Sequence, residues 1–151
     1  MKDFIISIFP GLADDPNFKI ASKQTPDYNC IAWAAIYDDR WFWPVEDAMN
    51  IEGRIFWPDG VKKDETPEAF IELFESMGFH LCEDGGYEPG FRKVAVYVNP
   101  KNGKVTHAAR QRTGGLWTSK LGENHDIVHT TPESLESLPY GKVSIFLKKE
   151  I

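Results

Sequence analysis

Cys30 heads the run Cys30-Ile31-Ala32-Trp33-Ala34-Ala35-Ile36, with Asp27 and Asn29 just ahead of it as alternative helix caps. A thiol in the first helical turn faces unpaired backbone N–H groups, and the helix dipole favours its thiolate. Such a nucleophile needs a base held on another element across a cleft. His107 suits that role, because Thr106-His107-Ala108-Ala109 opens a strand just after a hairpin turn and the small alanines leave room beside an imidazole. The chemistry this implies is attack of Cys30 on an amide carbon. His107 would take the thiol proton and hand it to the departing amine, leaving a thioester for water to release. Taken singly, each residue also has a plainer reading: Cys30 as core, His107 as a strand-end histidine with its bonds satisfied. Cys82, at the end of a short strand, reads as packing.

The elements that must position these groups can be read from pattern. The first thirty residues carry Pro10-Gly11, Asp14-Asp15-Pro16 and Thr25-Pro26-Asp27, which predicts an extended, turn-rich lead-in. The helix from Cys30 is apolar on nearly all sides and must be surrounded. Residues 40–65 mix aromatic pairs with Pro, Gly and charge, which predicts loops and short strands. Thr66 caps a clear amphipathic helix with Pro67 in its first turn, Phe70, Leu73, Phe74 and Met77 at helical spacing, and Gly78 as its stop. Strand patterns follow at 79–82, 94–98, 104–111, 116–121, 126–129 and 143–147, with Pro100-Lys101-Asn102-Gly103 as a hairpin turn and one helical turn at 131–133. Helices first and a meandering antiparallel sheet afterwards make one α+β domain over residues 1–151.

Composition narrows the function. A formal net charge of −6 argues against a general nucleic-acid binder, which needs a cationic surface. The longest apolar run, Cys30 to Tyr37, is too short to cross a bilayer, so no membrane partner is expected. The start of the chain has no signal-peptide pattern, so the expected location is the cytoplasm, with signal-independent secretion left open. Two cysteines make no disulfide scaffold. Aromatic residues reach 13% and cluster at Trp41-Phe42-Trp43-Pro44 and Phe56-Trp57-Pro58, either packing loops or lining a binding surface.

The strings Tyr28-Asn29-Cys30-Ile31-Ala32-Trp33-Ala34, Thr106-His107-Ala108-Ala109-Arg110-Gln111, Trp117-Thr118-Ser119-Lys120-Leu121-Gly122 and Asp126-Ile127-Val128-His129 resemble a family of bacterial proteins with no established activity. The likeness extends to Phe56-Trp57-Pro58 and to the helix from Thr66 to Gly78, and so covers most of the chain. More distantly, the order of a helix-start Cys and a strand-start His resembles papain-like and NlpC/P60-type cysteine hydrolases, deamidase toxins among them. That analogy implies a papain-like fold, with the N-terminal Cys helix packed on a mostly antiparallel sheet, and a protein or peptide amide as substrate.

The same resemblance implies further roles. An oxyanion hole would combine the Cys30 N–H with a side-chain donor, either Gln24, six residues before the Cys, or Asn29. A third group would hold the imidazole: Asp126 is the chemically stronger acceptor, while Ser119 comes within reach if the Thr113-Gly114 turn sets the register. Trp33, Trp43, Trp57 and Trp117 are the candidates to line a substrate. His125 and His129 are four apart, but their segment reads as a strand and lacks an HExxH glutamate, so no metal is expected. With no Walker loop, GxGxxG or GxSxG, no other cofactor is expected either. Arg110, Arg112 and Lys120 read as a solvated rim able to steer an acidic partner or a carboxylate substrate. The alternative function is a non-enzymatic partner-binding protein, immunity- or adaptor-like, that uses its aromatic surface.

Overall fold

The computed structural model describes residues 1–46, 50 and 53–151. The expectation of loops and short strands over 40–65 therefore lies partly outside the described residues, at 47–49 and 51–52. In chain order the elements are α1 (Lys2–Ile8), β1 (Lys19–Ile20), α2 (Cys30–Ala34), β2 (Trp41–Phe42), β3 (Ile55–Phe56), α3 (Pro67–Ser76), β4 (His80–Cys82), β5 (Phe91–Val98), β6 (Val105–Gln111), β7 (Trp117–Lys120), β8 (Asp126–His129) and β9 (Lys142–Glu150). Short 3₁₀ turns occupy Pro10–Leu12 and Pro132–Leu135.

The two helix caps named from the sequence explain where α2 and α3 begin. The Asn29 carboxamide accepts from the Ala32 N–H at 3.0 Å, and the Thr66 hydroxyl accepts from the Ala69 N–H at 3.3 Å. Helix α2 ends unusually. Ile36 adopts φ of 70°, the left-handed conformation, so that the Tyr37 N–H reaches back to the Ala32 carbonyl at 2.8 Å. Glycine normally fills that position, and a β-branched side chain there is strained. The lead-in differs from the expected extended chain. Lys2–Ile8 is helical because Ile5 and Phe9, one turn apart, bury together with Leu12 against the sheet.

Seven strands form one mostly antiparallel sheet in the order β1-β8-β7-β6-β5-β9-β4, and β2 and β3 make a separate parallel pair. The fold class is α+β. Both faces of the sheet are covered. On one face Val94, Val96, Val105, Ala108 and Leu147 pack with Cys30 and Ile31 of α2 and with Phe70, Leu73 and Phe74 of α3. On the other, Ala95, Tyr97, Ala109, Trp117 and Ile127 pack with Ile5, Phe9, Leu12 and Leu135.

One irregularity decides which face each candidate residue occupies. Strand β6 pairs Val105 with Val98 but His107 with Tyr97, so two steps along β6 oppose one step along β5. Strict alternation would put Val105 and His107 on one face. The bulge instead leaves Val105 with the α2 side and turns His107 to the Tyr97 side.

Candidate functional site

Cys30 lies at the start of α2, against β6, where its sulfur is near the backbone N–H groups of Ala108, Ile31 and Cys30 itself. Those amides favour the thiolate, but burial outweighs them and pushes the thiol up to about 11. Only 8% of the residue's surface is exposed. Asn29 is fully used by the fold: besides capping α2, its carboxamide donates to the Phe42 carbonyl at 2.9 Å and accepts from the Phe42 N–H at 3.2 Å. Gln24 lies exposed and donates to the Asn124 side chain.

His107 is on the far side of the sheet and fully buried. Its ring stacks on Tyr140 at 4.1 Å with 8° between the planes, and Tyr97 meets it edge-on at 5.1 Å. Gly141 makes that stack possible, since a Cβ there would sit 2.2 Å from the Val98 carbonyl oxygen. Nε2 of His107 lies 3.0 Å from Ser119 Oγ, and the same oxygen lies 2.9 Å from Nε2 of His129. The proton positions follow from the end of the chain. His129 Nδ1 faces the Thr131 carbonyl at 2.8 Å and must carry the proton, so its Nε2 accepts from the Ser119 hydroxyl. Ser119 then has only lone pairs to offer His107, which donates from Nε2 and leaves Nδ1 bare, buried and without a hydrogen-bond partner. Burial depresses both imidazoles, His129 to about 4 and His107 well below its ordinary value.

The structure thus brings Ser119 to His107, within the reach expected from the turn, and adds His129. It does not join Cys30 to His107; no hydrogen bond links them, and Nδ1 of His107 has no partner. Asp126 is on the α2 side, where Oδ2 accepts from the Tyr28 hydroxyl at 2.6 Å and Oδ1 is buried without a partner. Burial and the Asp126 carboxylate together hold the Tyr28 phenol well above its usual range. Lys120 is not part of an exposed rim. Its ammonium is buried and donates to the Thr25 and Gly122 carbonyls at 2.7 and 2.5 Å. His125 binds the Ser22 carbonyl, away from the His129 pair.

The tryptophans separate in the same way. Trp33 stacks on Tyr28 at 5.5 Å, donates to Thr118 Oγ1 and carries the Arg110 guanidinium over its ring at 3.9 Å. Trp43 and Trp57 meet Phe70 of α3 edge-on at 5.4 and 5.2 Å, which fastens the aromatic segments to the helix. Trp117 is core on the His107 side, close to Gly85 and Phe146.

A cavity of about 840 Å³ opens elsewhere, between the chain after α2 and the β2–β3 pair. Trp41, Ile55 and Phe56 give it apolar walls, and the carboxylates of Asp27, Asp38, Asp39 and Glu123 stand around it with Arg40 and Arg54. Arg40 pairs with Asp39 at 2.9 Å and lies over the rings of Tyr37 and Phe56 at 4.7 and 5.2 Å. Trp41 is anchored by its indole N–H on the Pro26 carbonyl at 2.7 Å. Of these residues the aromatic clusters stand out in the sequence as a candidate binding surface, and the acids do not. The acids are spread from residue 27 to residue 123 and meet only in the fold.

A testable consequence concerns thiol reactivity. The sequence alone favours Cys30 as the faster-alkylating cysteine; the structure reverses that order, because Cys82 is half-buried at a sheet edge and Cys30 is sealed. Native protein with iodoacetamide at neutral pH is expected to label Cys82 at least tenfold faster, read by peptide mass mapping. Faster labelling of Cys30 would show that the sulfur is accessible.

No helix among the described residues is long and apolar enough to cross a membrane. No curated protein and no solved structure matches the chain. One family model does match, over residues 19–148, from β1 almost to the end of β9 and through every residue of the sites described above. The chain therefore belongs to the family described as a domain of unknown function, DUF7689.

Proposed function

We propose that this protein acts by binding, and that its aromatic and acidic cavity takes a cationic segment of a protein partner. The observation that carries the reading is the cavity itself. At about 840 Å³ it is of the size that holds ligands, and its four carboxylates outnumber its two guanidiniums. Exposed Phe56 and half-buried Trp41 supply flat apolar area beside that charge, the combination in which aromatic anchors sit inside a polar rim. Negative potential around the cavity would speed encounter with a basic partner and select against acidic ones.

The test is titration of a hexa-arginine peptide against the protein, followed by tryptophan fluorescence and calorimetry at low salt. Saturable binding is expected, weakened tenfold or more by Phe56→Ala and by Asp27→Asn with Asp38→Asn, and unchanged by Cys30→Ser. Equal binding of hexa-glutamate, or full affinity in the cavity variants, would remove the proposal.

A second reading is the cysteine hydrolase or deamidase of papain-like design. It is favoured by the position of the Cys30 sulfur among three backbone N–H groups at the start of α2. It would require His107 to leave Ser119 and reach the other side of the sheet. An amide-directed activity probe captured by wild type and not by Cys30→Ser would raise it above the first.

A further inference from the structure

Arg92 and Arg110 lie on the α2 side of the sheet, where α2 ends. Arg110 pairs with Thr118 on one side and opposes Val94 on the other. Continuing that register by two residues sets Arg92 across from Arg112. Like charges directly opposite on neighbouring strands repel. The opposite face of the same sheet shows how this fold treats such a clash. Lys93 and Lys148 are also cross-strand partners, and there Glu88 bridges both ammonium groups at 3.0 Å, with Asp84 assisting. The arginines have no such acid: among the described residues none of the three forms an ion pair with a carboxylate. On a chain of net charge −6, three guanidiniums lining one cleft with no ion-paired carboxylate are the exception.

These side chains also share a cleft. Arg92, Arg110 and Arg112 line a concavity of about 210 Å³, together with Ile36, Phe91 and Gln111. Arg110 is the fixed member, held over the Trp33 ring and donating from Nη1 to the Trp33 carbonyl at 3.1 Å. Ile36 reaches the wall only because it ends α2 in the left-handed conformation, a strain that the surrounding structure maintains. The volume is below the range of whole-molecule pockets and suits a single charged group. Guanidiniums converging from two strands match the several oxygens of a tetrahedral anion better than the planar pair of one carboxylate.

We propose that this cleft is a binding site for a phosphoryl group, held by Arg92, Arg110 and Arg112, with Ile36 beside whatever carries it. In the sequence Arg110 and Arg112 read as a rim with Lys120; the fold replaces Lys120, buried elsewhere, with Arg92.

Pyrophosphate is the probe, titrated calorimetrically at low ionic strength with citrate as the carboxylate arm. Saturable one-to-one binding of pyrophosphate is expected, at least tenfold tighter than citrate, with affinity falling as salt rises. Arg92→Gln and Arg112→Gln should each weaken it about tenfold, while Lys101→Gln, at the exposed hairpin turn, leaves it unchanged; circular dichroism confirms that the variants fold. Two results overturn the proposal: no saturable binding to wild type, or wild-type affinity in the Arg92→Gln/Arg112→Gln pair. Equal affinity for citrate overturns the phosphoryl assignment.

Discussion

Ser119→Ala is expected to destabilise the protein by about 3 kcal/mol although it removes a single oxygen atom. The hydroxyl is fully buried and serves two rings at once, accepting from His107 and donating to His129. Its loss leaves a buried N–H and a buried ring lone pair without partners, and each orphaned group costs roughly 1–3 kcal/mol. No exposed route lets solvent repair them, since all three residues have no accessible surface. Urea unfolding at pH 7 checks this as a lower midpoint with an unchanged slope. A loss below about 1 kcal/mol would mean that the hydroxyl does not bridge the two imidazoles.

Acid is expected to weaken the fold in a window set by the same histidines. Both are depressed in the folded state, so at neutral pH the folded rings are uncharged and the unfolded ones mostly so, and the pH dependence there is slight. As pH falls below about 6.5 the unfolded chain takes up protons that the folded chain refuses, and stability falls with it. For His129 the loss continues until about pH 4, where the folded ring also protonates. That span is worth about 3 kcal/mol at roughly 1.4 kcal/mol per pH unit. His107, depressed by its own burial, adds to the slope. The carboxylate Asp15 is depressed from its own ordinary value, so its contribution is lost at lower pH than most of this window. Urea midpoints between pH 7 and 4.5 for wild type and His129→Gln separate the effects: the variant should lose stability less steeply as pH falls. Parallel curves would mean that His129 titrates normally in the folded protein.

How far the sequence reaches into this structure depends on the range of the interaction that fixes each element. Helix α3 was legible from Thr66 to Gly78 because its cap, its apolar stripe and its stop are all local. The β5–β6 hairpin was legible for the same reason, as was the approach of Ser119 to His107. Helix α1 was missed because its residues become helical by burying Ile5 and Phe9 on a sheet built much later in the chain. The face of His107 was not legible at all. Alternation from Val105 points the ring toward α2, and one extra residue in β6 sends it the other way. Nothing in Thr106-His107-Ala108 announces that residue. The candidate site shifted accordingly. Trp41 and Phe56 could be picked out as aromatics, but the acids beside them assemble from distant segments.

The position of β9 has a consequence for how the molecule is made. This strand, the last of the described strands, lies between β5 and β4 and pairs along the full length of β5. A nascent polypeptide emerging from the ribosome can close the β5–β6 hairpin early, but β5 keeps one open edge until residues 142–150 have left the exit tunnel. Until then β4 has no neighbour and the Val94–Val98 ladder is exposed to pairing with other chains. A chain cut before residue 142 should therefore be protease-sensitive and aggregation-prone, because β5 and β4 then lack their shared neighbour.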